Sequence, residues 1–306
     1  MRAESITRWG LYKLFAVVFF VTFSSSAIFG SEVRLIKEKS FSVKDWQNLY
    51  VKASGADVKV SSWDKPEVSI KIYGNKRAAD KMEFDVYQDG DVVKVIAQRR
   101  GSFLSFSFGS FEVRIEAMVP KNFNANLHSS GGDISVANLI GGFQIKTSGG
   151  DVSFSNTNGK LSAETSGGDI TLTDHKGEMD LSTSGGDIQC QKVEGDMDAS
   201  TSGGEINLEI ANGKVHAGTS GGDVDINYSG VNKGIYASTS GGDVHVNLPR
   251  DFKAKAEFES HGDIDNNFQN SRSIKVSRGY SSAELNGGGE DLRLESTGGD
   301  IIVDQK

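Results

Sequence analysis

From Ile134 to Val246 apolar residues recur in pairs two positions apart, and the pairs come twice in every eighteen residues. Ile134 and Val136 form the first pair, Asn138–Gly141 reads as a turn, and Phe143 and Ile145 form the second. The units after it repeat this with Val152/Phe154 and Leu161/Ala163, Ile170/Leu172 and Met179/Leu181, Ile188/Cys190 and Met197/Ala199. Ile206/Leu208, Val215/Ala217, Val224/Ile226, Ile235/Ala237 and Val244/Val246 complete the run. Period-two alternation over four or five residues, bounded by Gly, Asn and Asp, predicts two short strands per unit. No stretch carries a helical spacing of useful length. A unit this short cannot bury its apolar face alone, so the repeats must stack.

Each unit is punctuated by Ser-Gly-Gly-Asp/Glu-Ile/Val, beginning at Ser130, Ser148, Ser166, Ser184, Ser202, Ser220 and Ser240, with steps of 18 residues and a last step of 20. Degenerate copies stand at Ser54 (SGADV), Ser260 (SHGDI) and Ser296 (STGGDI). Stacking equivalent strands at ~4.8 Å turns this pattern into an all-β solenoid, a single-stranded β-helix with 18-residue coils. The glycines (Gly131, Gly132, Gly149, Gly150, Gly167, Gly168, Gly185, Gly186, Gly203, Gly204, Gly221, Gly222, Gly241 and Gly242) are expected at the corners, where a positive φ would favour them. The threonines before them, Thr147 through Thr239, are expected to form a hydroxyl ladder. Cys190 takes an inward position equivalent to Val136, Phe154 and Leu172, which makes it a core thiol.

Residues 33–128 alternate less regularly, at Val58/Val60, Val68/Ile70/Ile72, Phe84/Val86 and Val113/Ile115, and are read as the irregular start and cap of the stack that 129–306 continues. A separate small domain ending near Pro120 is the alternative. Asp89-Gly90-Asp91 predicts a hairpin turn. At the front, Arg2, Arg8 and Lys13 precede the apolar run Leu14–Phe23 and the small residues Ser25-Ser26-Ala27, the pattern of a signal peptide over 1–27 with cleavage after Ala27 or as late as Gly30. Export to the periplasm, the cell envelope or the medium is the expectation.

The residues also match a family. The TSGGDI ladder, VKVSSWDKPEVSIKIYG from Val58, EVRIEAMVPKNFNANLHSSGGDISV from Glu112 and the close LNGGGEDLRLESTGGDIIV resemble the bacterial "putative adhesin" domain of unknown function, a secreted Gly-Gly-Asp β-solenoid. The resemblance spans roughly 33–306 and implies one solenoid domain at the cell envelope. It brings no ligand and no catalytic residues.

Composition narrows the chemistry. Glycine is 37 of 306 residues, about 12% against an average near ~7%, while proline is only 3. The net charge of −8 becomes −10 once 1–27 are removed, thirty basic against forty acidic residues, which leaves no basic surface for nucleic acid. One cysteine excludes a disulfide framework. The acid column Asp133, Asp151, Asp169, Asp187, Glu205, Asp223 and Asp243, continued by Asp263 and Asp300, is the one arrangement suggesting a metal, calcium. Yet the Gly-Gly-x-Gly-x-Asp motif of calcium β-rolls is absent, so corner residues needing no cofactor are the preferred reading. Catalysis is disfavoured. The five histidines form no His pair at i, i+4, and no insertion is long enough to wall a cleft for paired carboxylates. A carbohydrate-active β-helix remains the third reading. Outward positions Ser135, Ser153, Thr171, Gln189, Asn207, Asp225 and His245 on one side, and Gln144, Ser162, Asp180, Asp198, His216 and Tyr236 on the other, are the candidate binding faces for a protein or envelope polysaccharide. Membrane contact would require an uncleaved signal segment or exposure of Phe103–Phe111. The reading is a non-catalytic, envelope-associated scaffold or adhesin-like binding protein.

Overall fold

The computed structural model describes residues 32–100 and 111–306. The expected signal segment and Phe103–Phe108 lie outside the described residues. Each 18-residue unit contributes one strand to each of two facing sheets, as with Val152–Asn158 in the first and Leu161–Glu164 in the second. Neighbouring coils pair parallel and in register, Val152 opposite Ile170 and Leu161 opposite Met179. The fold is the all-β solenoid the repeat predicts. The inward members of every strand pair are buried, Cys190 among them. Equivalent aliphatic residues therefore stack along the axis, each worth ~1.5–3 kcal/mol of burial.

The solenoid has a third inward column. Leu139, Thr157, His175, Val193, Ile210 and Tyr228 are buried between the two strands of their coils. In the first four coils the turn of phase that brings them inward is made by a left-handed residue just before: Asn138, Asn156, Asp174 and Lys192, with φ of 62°, 50°, 54° and 53°. From the fifth coil the strand runs straight to Ile210, and the left-handed residue moves on to Asn212.

The glycine pairs serve a different purpose from the one their sequence suggests. None of them has a positive φ. The second glycine of each pair instead lies against the backbone of the coil before it. A Cβ on Gly168 would come within 2.1 Å of the Gly150 carbonyl oxygen, whereas at Gly167 the nearest atom is 3.9 Å away. Positive φ falls at the opposite corner, on Gly159, Gly177 and Gly195.

Both ends are interleaved. At the N-terminal end, β1 (Arg34–Ser42), β2 (Asn48–Ala53), β3 (Asp57–Trp63) and β4 (Glu67–Gly74) lead to a short helix, α1 (Lys76–Lys81). Four strands follow it: β5 (Met82–Asp89), β6 (Val92–Arg99), β7 (Val113–Pro120) and β8 (Asn124–Ser129). The coil β2–β3 stacks directly on the repeats, Val58 opposite Ile134, and β6–β7 forms the next coil outward. Strands β4, β5 and β1 close the end in antiparallel pairing, with β5 and β6 joined by the turn at Gly90 (φ 58°). Helix α1, which the spacing does not predict, is only six residues long; the Asn75 side chain caps it by accepting the Ala78 amide at 2.9 Å. Residues 32–306 make one compact unit.

At the other end the spatial order departs from the sequence order. The last coil, Glu290–Ser296 and Ile301–Gln305, inserts between the Ser240 coil and the one holding Ala254–Ser260. The column therefore runs Asp243, Asp300, Asp263. The antiparallel hairpin Ser271–Leu285 occupies the outer edge of Ala254–Ser260, so the returning chain enters on the inner side. There its STGGD corner, the better copy of the repeat, meets the last regular coil.

The free edges carry charge. Lys37 and Lys39 pair opposite the buried Ile72 and Ile70, on the inward side of β1, and cross the open end of the solenoid. There Lys37 Nζ donates to the Phe84 carbonyl, and Lys39 Nζ to that of Val86 at 2.8 Å. Inward-pointing lysines that occupy the carbonyls of β5 block the addition of another strand.

Candidate binding faces and the corner ladder

At the corners, side chains join one coil to the next. Thr165 Oγ1 donates to the Gly150 carbonyl at 3.0 Å and accepts the Gly168 amide at 3.3 Å. Thr147, Thr183, Thr201, Thr219 and Thr239 donate to the preceding coil's second glycine in the same way. The expected hydroxyl ladder is thus a series of hydroxyl-to-carbonyl bridges. Beside it runs a carboxylate series. The Asp133 carboxylate accepts the Asp151 amide (2.9 Å), Asp151 accepts Asp169 (2.9 Å) and Asp169 accepts Asp187 (2.8 Å). The series continues from Asp187 to Glu205, from Asp223 to Asp243, and through Asp300 to Asp263. Asp57 supplies the first rung, to Asp133, at 3.1 Å. The rung from Asp223 to Glu205 is missing, since glutamate is one methylene longer. Among the described residues no group of three or more His, Cys, Asp or Glu side chains is placed to hold a metal ion.

The outward row of the second sheet brings together residues the alternation singles out. His216 Nδ1 lies 3.5 Å from Asp198 Oδ2, and its ring packs against Tyr236 with centroids 4.9 Å apart. The Tyr236 hydroxyl donates to Glu295 Oε2 at 2.9 Å, and Arg293 lies over the same ring at 5.9 Å. Burial, and then the bond to Glu295, raise the Tyr236 phenol above its ordinary value. Asp180, Asp198, His216 and Tyr236 line an open groove of about 600 Å³ whose edges add Glu178, Asp196 and Lys214. On the first sheet His245 is held between Asp225 (3.3 Å) and Asp304 (3.0 Å). Hydrogen bonds from Asn267 and then His245 keep the Asp304 carboxyl below its usual range.

His175 is the residue the alternation misplaces, since it is the third-column member of its coil and fully buried. Its Nδ1 accepts from the Thr157 hydroxyl at 2.8 Å and its Nε2 donates to the Gly159 carbonyl at 3.1 Å, the assignment for a neutral ring. Burial lowers it to about 4. The signal that could have located it is the asparagine column at 138 and 156, which shifts the phase of every strand it enters. Burial pushes the Cys190 thiol up, far from any nucleophilic state. Phe111, the described end of the aromatic segment, packs partly buried against the core beneath Arg77 and Arg99.

A capped two-sheet β-solenoid with side-chain bridges at every corner is the class of protein these features define. The chain belongs to the Toastrack DUF4097 family, whose model matches residues 46–304. No curated protein matches it. Among solved structures it is similar to a "putative adhesin" of Bacteroides fragilis, at 13% identity and a TM-score of 0.43, over 90% of this chain and 98% of that one. A "putative adhesin" of Parabacteroides distasonis is similar at 12% identity and a TM-score of 0.35, over 90% and 98% of the two chains. A protein of the same organism described as a "putative lipid binding protein" is similar at 13% identity and 0.34, over 88% and 96%. Among the described residues no helix is long and apolar enough to cross a membrane.

Proposed function

We propose that the protein is a non-catalytic, adhesin-like binding scaffold of the cell envelope, and that it engages its partner through the outward face of the second sheet. The observation that carries this reading is the groove along Asp180, Asp198, His216 and Tyr236. Four carboxylates (Glu178, Asp180, Asp196, Asp198) line it with one lysine. Lys160 holds Glu178 at 2.8 Å, and the surplus of the remaining three makes the complementary partner a protein or envelope polysaccharide bearing amines or other basic groups. Parallel coils without long insertions present such a face as a continuous strip, the way repeat scaffolds bind. Among the described residues no loop walls a cleft around an acid pair, which supports a role without turnover. Export rests on the sequence pattern over residues 1–27.

Co-sedimentation with purified envelope sacculi, comparing the native chain with Asp180→Asn/Asp198→Asn and with Tyr236→Ala, tests the binding face. Retained binding in both variants would remove the face from consideration. Fractionation with mass analysis of the mature N-terminus tests export, and an intact residue 1 in the cytoplasm would refute it.

A further inference from the structure

A second site is built on the opposite sheet at the capped end, where β1, β4, β7 and β3 lie side by side. Their register brings outward residues into rows across the strands. One row reads Glu38, Lys71, Glu116, Lys59, alternating in charge. The next reads Ser40, Ser69, Met118, Ser61, small except for the methionine. Beyond it Trp63 stands at the end of β3, its Nε1–H fixed on the Glu67 carbonyl at 2.7 Å. The low serine row between these walls is the floor of a trough of about 620 Å³, within the ~300–1,000 Å³ of small-ligand sites. Four strands at ~4.8 Å make it about 14 Å long, enough for a short oligomer.

We infer that this trough binds a neutral, extended oligosaccharide. Its lining sets Lys59, Lys65 and Lys71 against Glu38, Glu67 and Glu116, with Arg114 pairing Glu116 at 3.0 Å, so no strong charge of either sign is presented to a ligand. Alternating lysine donors and glutamate acceptors along one wall suit hydroxyls, which both donate and accept. Lys71 and Glu38 are only loosely paired, at 3.5 Å, and half exposed, which leaves them free to exchange partners. The indole offers an apolar face to the C–H side of a sugar ring. Its present neighbour is the exposed Lys65 ammonium, 4.6 Å from the ring centroid, a long side chain that can swing aside. An extended peptide is the poorer fit, because the strands here pair with one another and offer no free edge inside the trough. This site shares no residue with the groove on the second sheet, and stands whether or not that groove binds.

The test is calorimetric titration of the full chain with cellohexaose, laminarihexaose, maltohexaose and chitohexaose, with a hexagalacturonate and a chitosan hexamer as charged controls. At least one neutral hexasaccharide is expected to bind, at least tenfold more weakly to Trp63→Ala and to Ser40→Gln. Ser40 is exposed on the edge strand β1, so Ser40→Gln fills the floor without touching the core, which guards against misfolding in the tryptophan variant. Asp180→Asn/Asp198→Asn should leave hexasaccharide affinity unchanged while affecting sacculus binding. Failure of all four neutral sugars, binding confined to a charged control, or binding that survives both trough variants would overturn the inference.

Discussion

The carboxylate of Asp151 accepts the backbone amide of Asp169, 2.9 Å away and one coil along. In a column of like charges ~4.8 Å apart, each pair would cost about 0.9 kcal/mol in water. Here each aspartate from Asp133 to Asp187, and Asp223, Asp243 and Asp300 after them, faces an N–H dipole of the next coil in place of a bare neighbour. We propose that these bonds offset the repulsion without a cation.

The consequence is a contrast between two substitutions. Asp169→Asn keeps an oxygen for the Asp187 amide and relieves repulsion, so its stability should stay within about 0.5 kcal/mol of the native chain. Asp169→Ala removes the acceptor and should cost about 1 kcal/mol. Melting curves in chelator and in millimolar calcium should coincide. A calcium-dependent rise in Tm that Asp169→Asn abolishes would instead make the column a metal ladder. The missing rung offers the converse test, because Glu205→Asp should gain up to about 1 kcal/mol by accepting the Asp223 amide.

The glycine pairs should prove unequal. Gly167→Ala adds a methyl where the nearest atom is 3.9 Å away, and should be close to neutral. Gly168→Ala puts one 2.1 Å from the Gly150 carbonyl oxygen, so two coils must separate. A loss of about 3 kcal/mol or more is expected, since backbone cannot move aside as a side chain can. Equal midpoints in urea for the two variants would contradict the close-approach account.

The stacking was legible in the sequence because two alternations and one corner recur every 18 residues, and Ile134, Val152 and Ile170 do stack where that period puts them. What stayed hidden depends on backbone geometry that residue type signals weakly. A Gly-Gly pair reads as a turn whether its glycines need a positive φ or only room, and Gly168 needs room. The phase shifts at Asn156 and Asp174 move Thr157 and His175 from the turn into the core, although strict alternation stops at Phe154 and Leu172. The inserted last coil was hidden for another reason. Sequence order is a fair guide to spatial order only while each coil stacks on the one before, and the hairpin Ser271–Leu285 breaks that condition.

Lys192 is the odd member of the left-handed column. Asparagine and aspartate tolerate that conformation, whereas for other L-residues it costs roughly 1–2 kcal/mol. Lys192 is exposed, with φ 53°, and forms no bond comparable to that of Asn156, whose Nδ2 donates to Asn138 Oδ1 at 2.8 Å. Lys192→Asn should therefore stabilise by about 0.5–1 kcal/mol, raising Tm by a few degrees at most. An unchanged or lower Tm would show that the lysine's strain is relieved in some other way.

His175 gives the solenoid a dependence on acid. Both ring nitrogens are committed as a neutral imidazole, to Thr157 and Gly159, and burial holds the group at about 4 against 6.5 for a free histidine. Above pH 6.5 neither the folded nor the unfolded chain protonates this residue, and its contribution is complete. As pH falls from 6.5 towards 4 the unfolded chain takes up a proton that the folded chain refuses, so stability declines, by up to about 3 kcal/mol for a shift of this size. Below 4 the folded form protonates too and this contribution stops changing. Leu139, Val193 and Ile210 occupy the same column, so hydrocarbon fits there. Replacing both partners, Thr157→Val with His175→Leu, avoids stranding a buried hydroxyl. Urea titrations at pH 7 and pH 4.5 should show the native chain losing stability relative to this double variant. Parallel losses in the two proteins would assign the acid sensitivity to surface carboxylates.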